Sequence, residues 1–222
     1  MKAILLAVVA FATVGAAPVD WTKMVTRGAN GAYVLGNPKA KVRLVEYLSY
    51  SCSHCAEFTA QSAAPLKTNY IVKGNVAIEL RNAVRDRFDF AASLLARCGG
   101  PAKFFAQNEA LFAAQGSLMT KAQAFEASNV LPENAPINDV LTGMAEGSGM
   151  TALMVARGVP AAAANACLTN KAEQDVVLAM AKEAWEVRKL QGTPSFLVNG
   201  KNIGPSRWAD VEPKLRAAIA AR

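Results

Sequence analysis

This chain has almost no histidine: among its 222 residues there is one, His54. Cysteine is scarce too, with four. Metal chemistry has little to work with, because Cys52, His54 and Cys55 would diverge around a helix and only Cys98 and Cys167 remain to complete a tetrahedral zinc site. Basic residues outnumber acidic ones, 24 to 17, but no Lys/Arg run with interleaved aromatics occurs, so nucleic acid is not an expected partner. The one uninterrupted apolar run at the N-terminus, Ala3 to Ala12, is too short to span a bilayer. Across residues 88–190 no strand-like segment appears at all.

What is present begins with that apolar run. Met1-Lys2, the apolar segment and the small residues up to Ala16 have the layout of a secretory signal with a cut after Ala16. Removing Lys2 with it would lower the net charge from +7 to +6. Export to a periplasm-like compartment is therefore expected, and in such an oxidising place a disulfide persists. With 52% hydrophobic and 18% charged residues, the mature chain has material for one packed domain carrying an insertion.

The stretch Val42 to Phe58 organises that domain. Val42, Leu44, Val45, Tyr47 and Leu48 are too continuous for a strand with one wet face, so 42–48 is expected as a strand covered on both sides. Ser49, Tyr50 and Ser51 end it, and helical spacing starts at Cys52. A cysteine there meets free backbone N–H groups and the positive end of the helix macrodipole, which favour thiolate over thiol. The dipole alone, at most about 2 kcal/mol, lowers a thiol pKa by roughly one and a half units. His54 is a candidate for a second positive or hydrogen-bonding group. Cys52 and Cys55, three residues apart, share a helix face at about 5–6 Å, within disulfide reach. Cys52 reads as the attacking thiolate and Cys55 as the buried resolving thiol. Haem attachment would need histidine directly after the second cysteine, where Ala56 stands.

Along the chain, residues 17–30 read as an exposed lead-in and Tyr33–Leu35 as a short strand. A helix follows from Cys52 towards Val72, kinked at Pro65 and stopped by Gly74-Asn75. Val76–Arg81 alternates as a strand. Alanine-rich helical segments occupy the next hundred residues: Phe88–Cys98, Lys103–Gln115, Lys121–Val130, Ile137–Gly147, Gly149–Arg157, Ala161–Thr169 and Lys171–Leu190. Met144, Met150 and Met154 read as core filler rather than a soft binding surface. The α/β pattern resumes with a strand at Ser195–Val198, a type I′ turn at Asn199-Gly200 and a returning strand at Lys201–Ile203. A last helix would carry Asp210 as its N-cap and Pro213 in its first turn.

Cys-Ser-His-Cys at a helix tip, a helical insertion and then Gly192-Thr-Pro-Ser-Phe-Leu-Val-Asn-Gly200 resemble the DsbA family of thiol-disulfide oxidoreductases. The likeness covers about 31–221. It implies an α/β, thioredoxin-like fold with an all-helical insertion: 31–87 as its first part, 88–190 as the insertion and 191–222 as its second part. It also implies a cis Pro194 facing the active-site sulfurs, a Thr193 backbone that pairs with substrate, and a Glu46 beneath the buried cysteine. A carboxyl buried there would have a raised pKa and could exchange a proton with Cys55. Ser53-His54 stands where the best-known members have Pro-His, and Thr193 where many oxidases have valine, so oxidase and isomerase both stay open. Cys98 and Cys167 are either a second disulfide or two buried thiols. The implied partners are exported proteins with free thiols and a DsbB-like membrane oxidase; no cofactor and no metal is called for. A different class, a metal- or peptide-binding module using Cys52, His54 and Cys55, is the alternative.

Overall fold

Val42–Leu48 forms strand β3, and both of its faces are covered. In the computed structural model, which describes residues 19–128 and 134–221, alternate side chains serve separate clusters. Leu44 and Leu48 join the main core, while Val45 and Tyr47 join a smaller one with Ala184, Leu190 and Leu197. By the same alternation Glu46 points with Leu44 into the main core. The expected signal, residues 1–16, lies outside the described residues.

Strand β3 pairs in parallel with β4 (Val76–Asn82) and antiparallel with β5 (Ser195–Val198). Strands β1 (Val25–Arg27) and β2 (Tyr33–Gly36) extend the sheet past β4, and β6 (Lys201–Pro205) extends it past β5, in the order β1-β2-β4-β3-β5-β6. The turn between β5 and β6 has φ of 49° at Asn199 and 81° at Gly200, as a type I′ hairpin requires. The lead-in is more structured than its sequence suggests. It holds a single helical turn at Trp21–Lys23 and the edge strand β1, whose three mostly exposed residues are too few to show a period.

A parallel pair needs a crossover, and here it is α1 (Ser53–Pro65). After Pro65 the helix widens to π geometry over Leu66–Tyr70 and tightens again over Ile71–Lys73. Gly74 stops it at φ 72°. A Cβ there would lie 2.7 Å from Trp21 Nε1, so the same glycine also lets the lead-in pack close.

Between β4 and β5 stand α2 (Arg87–Arg97), α3 (Pro101–Ser128), α4 (Ile137–Gly147), α5 (Met150–Ala156), α6 (Ala161–Leu168) and α7 (Lys171–Lys182). A π turn at Glu183–Val187 continues α7. The two helices expected at Lys103–Gln115 and Lys121–Val130 are one as far as Ser128; residues 129–130 lie outside the described residues. Gly116 costs about 1 kcal/mol relative to alanine, but Gln115, Leu118 and Ala122 are buried on either side of it and carry the helix through. Met144, Met150 and Met154 are buried in the core. The last helix, α8 (Trp208–Ala220), starts before the expected cap. Asp210 is its third residue, accepting the Arg207 backbone N–H at 3.3 Å, and Pro213 falls past the first turn.

Cys98 and Cys167 are bonded, fastening the end of α2 to α6 across 69 residues of chain. A loop of that length corresponds to about 4 kcal/mol of unfolded-state restriction. The double variant Cys98→Ser/Cys167→Ser is expected to lose about 2–4 kcal/mol in urea unfolding; an unchanged midpoint would show that the bond restrains nothing.

Candidate active site

Cys52 is the N-cap of α1, with extended backbone (φ −96°, ψ 115°), and Cys55 lies one turn further in. Both are free thiols in this structure and both are buried, Cys55 completely. Facing them is the cis peptide bond between Thr193 and Pro194, at the start of β5. The Cys52 thiol donates to the Thr193 carbonyl at 3.1 Å. The sheet thus brings together two cysteines and a loop separated by about 140 residues of chain.

The two sulfurs differ sharply in acidity. Cys52 is drawn down to about 4, first by the Cys55 thiol that donates to it, against the opposing effect of burial. The Thr193 hydroxyl, which has no other partner, the Cys55 backbone N–H and the Arg85 charge add to the lowering. The helix tip supplies the field in which these donors act. The neutral thiol gains only the Thr193 carbonyl; the anion gains the rest. At neutral pH a midpoint near 4 leaves roughly a thousand thiolates per thiol. Cys55 is pushed well above the ordinary thiol value by burial, by its hydrogen bond to Cys52 and by the nearby Glu46 charge.

Glu46 is 3% exposed, its Oε1 has no hydrogen-bond partner, and burial followed by the Cys52 charge raises its pKa to about 8. It is therefore a carboxylic acid at neutral pH, beside a thiol that is reluctant to ionise. A cleft of about 390 Å³ opens beside Pro194, lined by His54, Phe58, Thr193, Pro194 and Arg207 among others. His54 is exposed and lines this cleft. The cation that acts on the Cys52 sulfur is Arg85, which the sequence did not single out. Among the described residues, no group of three His, Cys, Asp or Glu side chains is placed to hold a metal ion.

The sequence profile of the thioredoxin family matches residues 29–217. The chain belongs to the thioredoxin family. A protein-disulfide isomerase from Novosphingobium aromaticivorans superposes with a TM-score of 0.76 at 31% identity, covering 85% of this chain and 97% of that one. Alpha-DsbA1 of Wolbachia pipientis shares the fold, insertion included, with a TM-score of 0.69 at 19% identity over 87% of this chain and 93% of its own. A provisionally named protein-disulfide oxidoreductase of Rickettsia felis is 29% identical over 171 residues, which are 77% of this chain and 54% of that protein. The chain thus spans about half the length of the curated relatives it matches.

This thioredoxin-family site rests on polar residues supplied largely by the insertion. Gln115 of α3 donates to the carbonyls of Tyr50 and Cys52, at 2.7 and 2.9 Å. Asn108, two turns earlier, accepts the Tyr50 hydroxyl at 2.7 Å. Buried Asp89 of α2 accepts the Tyr50 N–H at 2.7 Å and the Arg85 N–H at 3.1 Å, and burial raises its pKa to about 7. The Arg85 guanidinium reaches the Ser49 and Ser51 hydroxyls, each at 3.0 Å. Asn108 and Gln115 had a legible signal, as amides at helical spacing among Phe104, Leu111, Phe112 and Leu118. Arg85 had none, because a loop arginine looks like any other.

The shift on Glu46 carries a stability consequence. Folded Glu46 holds its proton up to about pH 8, whereas the unfolded group releases it near 4.5. Stability of the dithiol form should therefore fall as pH rises between those values, by up to about 1.4 kcal/mol per unit from this group. Glu46→Gln removes that slope. Urea unfolding from pH 4.5 to 8.5 checks it: the variant should gain on the natural protein steadily as pH rises, and parallel curves would contradict the assignment.

Proposed function

We propose that this protein is a thiol-disulfide oxidoreductase that donates disulfides to exported proteins. One observation carries the reading. The buried Cys52 sulfur is far more stable charged than neutral, and it sits against Thr193-Pro194 with its partner cysteine a turn away. Whatever stabilises the reduced, anionic state makes the disulfide a stronger oxidant.

In the forward reaction a substrate thiolate attacks Cys52 Sγ of the oxidised pair. The Cys52–Cys55 bond breaks, a mixed disulfide forms, and Cys55 leaves as a thiolate. Glu46, protonated at neutral pH, gives that sulfur its proton. A second substrate thiolate attacks the substrate sulfur of the mixed disulfide, and Cys52 departs as the thiolate it is built to be. Two electrons pass from substrate to protein. The cleft beside Pro194 is where the substrate chain would lie, with the Thr193 backbone available for strand-like pairing. The signal-like N-terminus supports a periplasmic site of action, and a returning electron path would run to a DsbB-like membrane oxidase.

A second reading has its own support: the relative at 31% identity is named a protein-disulfide isomerase, and Thr193 stands where many oxidases of the resembled family have valine. The same site held reduced would reshuffle bonds instead of donating them. Alkylating freshly isolated protein decides between them, since an oxidase is recovered mainly as the Cys52–Cys55 disulfide and an isomerase mainly as the dithiol. For the chemistry itself, Cys52→Ser should lose all exchange with a reduced cysteine peptide. Unimpaired exchange in that variant would end the proposal.

A further inference from the structure

We propose that a small cavity between β3, α1 and α3 is a water site joining the Glu46 carboxyl to solvent, with the Lys67–Glu109 ion pair at its mouth. The proposal deepens the oxidoreductase reading and rests on it for its purpose, though not for its test. The forward reaction leaves Glu46 as a carboxylate after it has protonated Cys55. A carboxylate sealed in a core cannot be reprotonated unless a path reaches it.

Two adjoining spaces mark where it would run. The cavity, about 30 Å³, is lined by Glu46, Thr59, Ser62 and Asn108 together with apolar side chains of β2, β4 and α3. That is room for about one water with the polar partners it needs. Glu46 Oε1 is fully enclosed and has no partner in the protein. Outside lies a groove of about 490 Å³ between α1 and α3, and it shares Thr59, Ala63, Lys67 and Glu109 with the inner cavity. These four residues are the mouth. Lys67 Nζ and Glu109 Oε1 meet across it at 2.6 Å, each side chain 35% exposed, so the pair touches both bulk water and the inner space.

Glu46 has further neighbours on the elements packed around it. Cys52 and Cys55 face it from α1, and the Tyr50 hydroxyl belongs to the loop above. Its register partners are Leu80 on β4 and Phe196 on β5, which carry no proton. Lys67 and Glu109 are the charged groups lining the cavity besides Glu46 itself. A proton therefore passes from bulk to the cavity water, from the water to the Glu46 carboxylate, and from Glu46 to the Cys55 sulfur, each transfer restoring its donor from the one before. Lys67 and Glu109 are positioning residues for that water.

Two measurements test this, and neither needs turnover. A high-resolution crystal structure of the dithiol form should show ordered water within hydrogen-bond distance of Glu46 Oε1; a dry cavity would overturn the proposal. The second follows the infrared band of the protonated Glu46 carboxyl, identified by its loss in Glu46→Gln, after a pH jump across its titration. Ala63→Leu, which narrows the mouth, should slow its relaxation tenfold or more, while Ala63→Ser keeps the natural rate. An unchanged rate in a folded Ala63→Leu protein would sink the idea. If water and rate behave as expected in a protein that exchanges no disulfides, the path stands and the oxidoreductase reading falls.

Discussion

A sulfur that prefers to be an anion, although enclosed at the end of a helix, is the constraint from which the rest of this molecule follows. Burial by itself works against charge, and for Cys52 that penalty is overcome by donors aimed at one atom: the Cys55 thiol, the Thr193 hydroxyl and a backbone N–H, with Arg85 nearby. They come from three parts of the chain, since Cys55 supplies both its thiol and its backbone N–H. The strand β3 sets the height of the helix tip, β5 delivers Thr193, and the loop after β4 delivers Arg85. The helix macrodipole by itself, at most about 2 kcal/mol, falls short of a shift from 9 to about 4.

The helical insertion is more than a cover for that arrangement. Gln115 and Asn108 on α3, and Asp89 on α2, make hydrogen bonds to Tyr50 and Cys52 that fix the loop just ahead of the helix. A loop so held presents Cys52 at one angle to Pro194. The same α3 packs along α1 and closes the space beside Glu46, so the element that positions Cys52 also shapes the surroundings of Glu46. The Cys98–Cys167 bond ties α2 to α6 and keeps the insertion together as a unit.

Much of the site was legible in the sequence because its determinants are local. Cys52, Cys55 and the strand before them are read from one stretch of 17 residues, and a continuous apolar run followed by a helical period leaves little freedom in where the sulfurs go. Glu46 lies inside that run, but its place beneath the buried cysteine was implied by the resemblance to the DsbA family rather than by any period. Long-range features were harder. Arg85, Asp89 and Gln115 act through contacts 36 to 65 residues away in sequence, which no period reports. His54 illustrates the reverse: its place between the cysteines suggested a partner for the Cys52 sulfur, but it is not among the groups that lower that sulfur's pKa, and it lines the cleft. Gly116 and Asp210 misled for a local reason. A glycine inside a helix and an aspartate near its start both resemble boundaries, and burial of the neighbouring side chains decides otherwise.

Since the charged sulfur exists only in the reduced state, its stabilisation must appear in the redox equilibrium of the pair. The direct measurement is the reduction potential of Cys52–Cys55 against a glutathione buffer at pH 7. A thiolate held this strongly predicts a value above about −180 mV, more oxidising than the glutathione poise of a secretory compartment. A value at or below about −270 mV, where a reducing thioredoxin lies, would contradict the claim that the fold is built to favour the anion.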